Sequence, residues 1–88
     1  MNFRKQIQFS RLIKAGGRLK EFNFLKIFSV KIPTYCVDVG DEQGRRYIFS
    51  LFNDGKCWKI SGDELPEWVL QVESMLKGEV VAQEVAVA

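Results

Sequence analysis

Apolar and polar side chains alternate over the first two thirds of this chain, and the spacing lengthens to three and four residues only near its end. Alternation of that kind marks strands with one buried face, and the longer spacing marks a helix. Residues 3–14 alternate around Ile7 and Phe9, and Ala15-Gly16-Gly17-Arg18 follows. A Gly-Gly pair between alternating segments predicts a two-residue hairpin, because glycine accepts positive φ at both central positions. Centring the turn there sets Phe9 opposite Phe24, Arg11 opposite Phe22 and Ile7 opposite Lys26. An aromatic pair across the strands supports this register. The second strand is expected over 18–32, where Phe22, Phe24, Phe28, Val30 and Ile32 hold even positions around Lys26. Pro33 stops it, since proline cannot donate to a ladder.

Residues 34–41 place Tyr35, Val37 and Val39 on one face, and Asp41-Glu42-Gln43-Gly44-Arg45 reads as a type I turn closed by a bulge with Gly44 left-handed. A strand at 45–53 then sets Val39 against Tyr47, Val37 against Phe49 and Tyr35 against Leu51. Every apolar side chain falls on one side, as a correct register requires. Asn53-Asp54-Gly55-Lys56 predicts a type I′ hairpin into a strand at 56–61, with Leu51 opposite Trp58, Phe49 opposite Ile60 and Cys57 opposite Phe52. Residues 63–77 carry Leu65, Trp68, Val69, Val72, Met75 and Leu76 as a helical stripe. Asp63 is the expected N-cap, Pro66 sits in the first turn, and Lys77-Gly78 is the expected stop. The fold class is therefore α+β, an antiparallel β-meander of about five strands with one C-terminal helix packed on one sheet face. One domain is expected over 1–78. Residues 79–88 are expected to be a frayed or disordered tail, with a short edge strand or a helix extension as the alternative. The core should join Phe9, Phe22, Phe24, Val37, Val39, Phe49, Leu51, Trp58 and Ile60 to Leu65, Trp68, Val69, Val72 and Leu76, with Trp68 central.

Composition narrows the class. Apolar residues make up 47% of the 88 and charged residues 27%, which is ordinary for a globular chain and rules out a disordered one. No apolar run approaches the roughly 18 residues of a membrane span, and the first residues lack the apolar stretch of a secretory signal. A cytoplasmic location is the expectation. Histidine is absent and Cys36 and Cys57 are the only cysteines, so a Cys/His zinc site and a His-based catalytic triad are excluded. No nucleotide loop or catalytic motif appears, and neither an enzyme nor a cofactor is expected. The two cysteines lie on strands separated by a third, about 9.6 Å apart. A disulfide needs Cα atoms within roughly 7 Å, so both are expected to be reduced.

Charge is unevenly placed. Residues 1–31 carry eight cations against Glu21, a net of +7, whereas residues 32–88 carry five cations against ten anions, a net of −5. Such asymmetry speaks to partners. Arg4, Arg11, Lys14, Arg18, Lys20 and Lys31 on the first hairpin, with Arg46, Phe52 and Lys59 on the second half of the sheet, are the candidate nucleic-acid-binding set. Cations interleaved with Gln6, Gln8, Ser10 and Asn23 suit a sugar-phosphate backbone, and Phe3 and Phe52 could stack on bases. Single-stranded DNA or RNA is the implied partner. Leu12, Leu19, Leu25, Ile27, Ile48 and Phe52 fall on the outer side of the sheet, and a contiguous apolar patch suits a protein partner or a homodimer instead. Attraction between basic hairpin and acidic helix, within one fold or across a dimer, would also explain the asymmetry. A meander followed by one helix resembles, in element order, the repeat unit of Whirly and PUR-type single-stranded nucleic-acid-binding proteins. Those units have four strands where five are expected here, and the resemblance carries no site residue with it.

Overall fold

The computed structural model describes residues 7–28 and 30–87. Five strands, β1 (Gln8–Ala15), β2 (Arg18–Ile27), β3 (Thr34–Gly40), β4 (Arg46–Asn53) and β5 (Trp58–Ser61), are followed by α1 (Glu67–Gln71) and α2 (Glu73–Val87). The strands form one antiparallel sheet in the order β1-β2-β3-β4-β5. Gly16 and Gly17 have φ of 63° and 82°, so the first turn is the expected one, and Phe9 pairs with Phe24 and Arg11 with Phe22. Gly44 is left-handed, and Asp41 faces Arg45 through a backbone hydrogen bond of 2.9 Å. The β3–β4 register sets Val39 on Tyr47, Val37 on Phe49 and Tyr35 on Leu51, as read from the sequence.

The third hairpin differs by two residues. Leu51 faces Ile60 and Asn53 faces Trp58, in place of Leu51–Trp58 and Phe49–Ile60. A type I′ turn needs positive φ at Asp54 as well as Gly55, and Gly55 alone adopts it. Asp54 instead turns its Oδ1 onto the backbone N–H groups of Lys56 (2.9 Å) and Cys57 (3.1 Å), while Asn53 accepts from Gly55 (2.8 Å). Side-chain capture of local donors widens the loop. Cys57 is thereby moved out of the ladder and does not face Phe52. A slip of two residues preserves the faces, so Trp58 and Ile60 still point to the core.

β2 also ends earlier than expected, at Ile27. Ile27 already pairs with Thr34, so the chain reverses between them. Phe28, Val30 and Ile32 are exposed there.

Two helices, separated at Val72 where one was expected, cover the sheet face that carries Phe22, Phe24, Tyr35, Val37, Val39, Phe49 and Leu51, all buried. Phe9 stacks on Phe24 with ring centroids 4.6 Å apart, and Trp68 stands edge-on to Tyr47 at 5.6 Å and to Phe22 at 6.5 Å. Trp58, Ile60, Leu65 and Trp68 pack against this cluster partly buried. Asp63 is not the N-cap; Pro66 holds that position and α1 starts at Glu67. A residue before proline is steered away from helical φ/ψ, so Leu65 cannot enter the helix.

The helical region does not stop at Lys77-Gly78. Residues 79–87 are helical, the extension and not the frayed tail. Glycine inside a helix costs about 1 kcal/mol against alanine. Three side chains beyond it outweigh that: Val80 is completely buried, Glu79 meets Arg11 Nε at 2.8 Å, and Glu84 accepts from both Lys26 Nζ and the Tyr35 hydroxyl at 2.6 Å each.

Glu84 ties the last turns of α2 to β2 and β3. Burial pulls its carboxyl upward, but the Lys26 ammonium and the Tyr35 hydroxyl outweigh burial and leave it below the usual carboxylate range. Burial, with Glu84 alongside, pushes the Tyr35 phenol well above its ordinary value. A depressed carboxylate stabilises the fold above its unfolded pKa of about 4.3, and that contribution is lost as pH falls through the lower folded value. The raised phenol contributes below about pH 10 and loses its contribution above it. Glu84→Gln is expected to cost about 1–3 kcal/mol at pH 7. The gap between the two proteins should close as pH drops towards 3, read by urea unfolding at several pH values. An equal gap at pH 7 and pH 3 would mean that the charge of Glu84 plays no part.

Candidate interaction surface

Strand alternation sends half of the sheet's side chains away from the helices. On this outer face β1 presents Gln8, Ser10, Leu12 and Lys14. β2 presents Leu19, Glu21, Asn23, Leu25 and Ile27, and β3 presents Thr34, Cys36 and Asp38. β4 presents Arg46, Ile48, Ser50 and Phe52, and β5 presents Lys59. A polar row runs across four strands. The Ser10 hydroxyl donates to Asn23 Oδ1 at 2.6 Å, the Asn23 amide donates to Asp38 Oδ1 at 2.9 Å, and the Arg46 guanidinium pairs with the same Asp38 oxygen. Register produces the row: Ser10 faces Asn23, Asn23 faces Asp38, and Arg46 lies two residues along β4 from Asp38's partner Ile48, on the same face. Apolar side chains flank it. Leu12, Leu19 and Ile48 are 67%, 68% and 64% exposed, and Leu25, Ile27 and Phe52 are half-buried. A shallow open depression lies between Gln8, Ser10, Asn23, Leu25, Cys36 and Asp38. Burial, with Asp38 nearby, raises the Cys36 thiol pKa and so disfavours its thiolate. Both cysteines are free.

The candidate cations do not form one surface. Arg11 has odd parity in β1 and lies on the helix face, where it meets Glu79 and stands 4.8 Å over the Phe9 ring. Lys20 is buried, donates to the Ala15 carbonyl at 2.5 Å, meets Glu42 at 3.1 Å and lies 4.6 Å from the Trp68 ring centroid. Arg18 is exposed near the turn, 3.8 Å from Glu42. Lys14 is exposed on the outer face, and Lys31 is exposed in the loop before β3. Arg46 is committed to Asp38. Lys59 meets Asp54 at 2.8 Å, and that hydrogen bond, with the N–H groups of Lys56 and Cys57, holds the Asp54 carboxyl far below the usual range. Phe52 lies half-buried between Thr34 and Lys59. Arg4, with Phe3 and Gln6, lies outside the described residues.

Sequence reading missed Asp38 as the hub of the polar row, and Glu79 and Glu84 as the partners of Arg11 and Lys26. The parity of Arg11 and Lys26 with Phe9 and Phe24 was the signal for the latter. Among the described residues no cluster of His, Cys, Asp and Glu is placed to hold a metal ion, and no helix is long and apolar enough to cross a membrane. Comparison with family models, with curated proteins and with solved structures finds no match to this chain.

Proposed function

We propose that this protein is a non-enzymatic docking module whose outer sheet face receives another protein, one presenting apolar side chains and charges of both signs. The observation that carries the reading is the polar row from Ser10 to Arg46, already satisfied within the chain, bordered by the exposed Leu12, Leu19 and Ile48. A surface whose polar groups are paired can be covered without stranding a donor or acceptor. Its apolar neighbours supply the gain from leaving water. The charges on this face, Lys14, Arg46 and Lys59 beside Glu21 and Asp38, suit a protein of mixed charge better than a polyanion. Arg11, Lys20 and Lys26 answer Glu79, Glu42 and Glu84 inside the fold, which supports intramolecular attraction as the source of the basic hairpin's charge. A cytoplasmic setting belongs to the same proposal, and free thiols in Cys36 and Cys57 suit a reducing compartment.

The competing reading is a single-stranded nucleic-acid binder working through Lys14 and Arg18 at the hairpin tip. The two separate on salt. Partners retained from cell extract by the immobilised protein should survive 500 mM salt and be lost in Ile48→Glu and Phe52→Glu variants that keep the wild-type circular dichroism spectrum. Fluorescence anisotropy with short single-stranded DNA and RNA at low salt should show no binding at tens of micromolar. Oligonucleotide binding that weakens log-linearly with salt and is lost in Lys14→Ala/Arg18→Ala would transfer the function to the hairpin.

A further inference from the structure

The two edges of the sheet are unequal. β5 has four residues, too few to template much pairing, whereas β1 has eight and contains no proline and no bulge. Long edges that no proline or bulge interrupts are pairing sites. The Lys26 N–H donates to the Ile7 carbonyl at 2.9 Å, which fixes the phase of the β1–β2 ladder. Hydrogen-bonded pairs alternate along an antiparallel ladder, so Phe9, Arg11, Ile13 and Ala15 bond to β2. Gln8, Ser10, Leu12 and Lys14 then turn their N–H and C=O groups outward. The Ser10 carbonyl accepts from the Arg11 guanidinium at 2.9 Å and keeps a second lone pair.

We propose that β1 pairs antiparallel with β1 of a second copy of this chain about a twofold axis at Leu12, joining the two sheets into one of ten strands. The side chains select this register. A twofold at Arg11 would set two guanidinium groups opposite each other, and like charges directly opposed are unfavourable. Centred on Leu12, Lys14 faces Ser10 of the second copy, Arg11 faces Ile13, and Phe9 faces Ala15. Every outward backbone group from Ser10 to Lys14 finds a partner. Leu12 meets Leu12 of the second copy, and Leu19 lies diagonal to Leu12 because it pairs with Lys14. Four leucines, each about two-thirds exposed in the single chain, then line up across the seam. This goes beyond the docking of a partner on the outer face and stands apart from it, since the dimer would merge two such faces into one platform.

The test is oligomeric state, by sedimentation velocity from one to several hundred micromolar. The wild-type protein is expected to shift from monomer towards dimer over that range. Leu12→Pro removes only an N–H that β2 does not use, and proline is tolerated at such edge positions. That variant should remain monomeric with an unchanged circular dichroism spectrum. A second measurement does not depend on proline being accommodated. In a Cys36→Ser/Cys57→Ser background, Leu12→Cys should give a covalent dimer on mild oxidation, and Lys14→Cys should give at least tenfold less. A wild-type protein that stays monomeric at several hundred micromolar overturns the proposal. So does a dimer that persists in folded Leu12→Pro, or equal cross-linking at both positions. Partner capture retained in Ile48→Glu while the dimer remains would count against the docking reading alone.

Discussion

Deleting residues 79–88 is expected to leave a chain that no longer folds cooperatively. Val80 is completely buried, and burying such a side chain is worth about 1.5–3 kcal/mol. Glu84 accepts charge-assisted hydrogen bonds from Lys26 and Tyr35, and interactions of that kind contribute about 1.5–3 kcal/mol. What would remain of α2, residues 73–78, is too short to hold a helix by itself. The combined loss of about 3–6 kcal/mol compares with a total stability of roughly 5–15 for a small domain. Loss of sharp amide dispersion in an NMR spectrum of the truncated chain, at pH 7 and low temperature, is the expected result. A truncated protein with wild-type dispersion and an unchanged melting temperature would show that the last turns of the helix carry no stability.

Phe24→Ala should have the largest effect of any single substitution in the sheet. The side chain is 1% exposed, stacks on Phe9, and faces Val37 across β2 and β3. Truncating a core aromatic costs about 3–5 kcal/mol through lost transfer energy and the cavity left behind. In a domain of this size, 1 kcal/mol moves the melting temperature by about 4–8 °C, so a fall on the order of 15 °C or more is expected. Ile48→Thr, one strand position from the buried Phe49 but on the outer face, should move stability by no more than about 0.5 kcal/mol. Paired thermal melts of the two variants report which face the helix covers. Comparable losses in both would mean that the outer face is buried too.

Parity and turn chemistry made most of the sheet legible. Gly16-Gly17 and Gly44 fixed two registers because those positions need positive φ and glycine supplies it. At the third hairpin Asp-Gly predicts a two-residue turn, and the structure has a wider loop. The Asn53 and Asp54 side chains accept from the loop's own amides, a property of the side chains that the dipeptide signal does not contain. The helix start was misplaced because Asp63 looked like a cap, while the restriction Pro66 puts on Leu65 was the stronger constraint. Its end was misplaced because Gly78 is a local signal and Val80, Glu79 and Glu84 are tertiary ones. Helical spacing from Leu76 to Val80 was present in the sequence, but the cations that answer the two glutamates sit on β1 and β2. Parity also divides the candidate cations between the two faces of the sheet. Lys20 and Arg11 belong to the basic first hairpin by sequence, but strand parity sends both towards the helices and decides where they point.

Each strand of this sheet pairs with its neighbour in sequence, and the element that covers its greasy face comes last. Successive hairpins close short loops, which favours rapid zippering for a β-rich chain. Synthesis proceeds at about 5–20 residues per second, so the end of α2 leaves the ribosome roughly one to five seconds after β5 does. Hairpins form in microseconds. For that interval an assembled sheet would present Phe22, Phe24, Val37, Phe49 and Leu51 with nothing over them. Ribosome-associated holdases would meet this protein as a nearly finished sheet, and slow translation of the α2 codons would lengthen its exposure to aggregation.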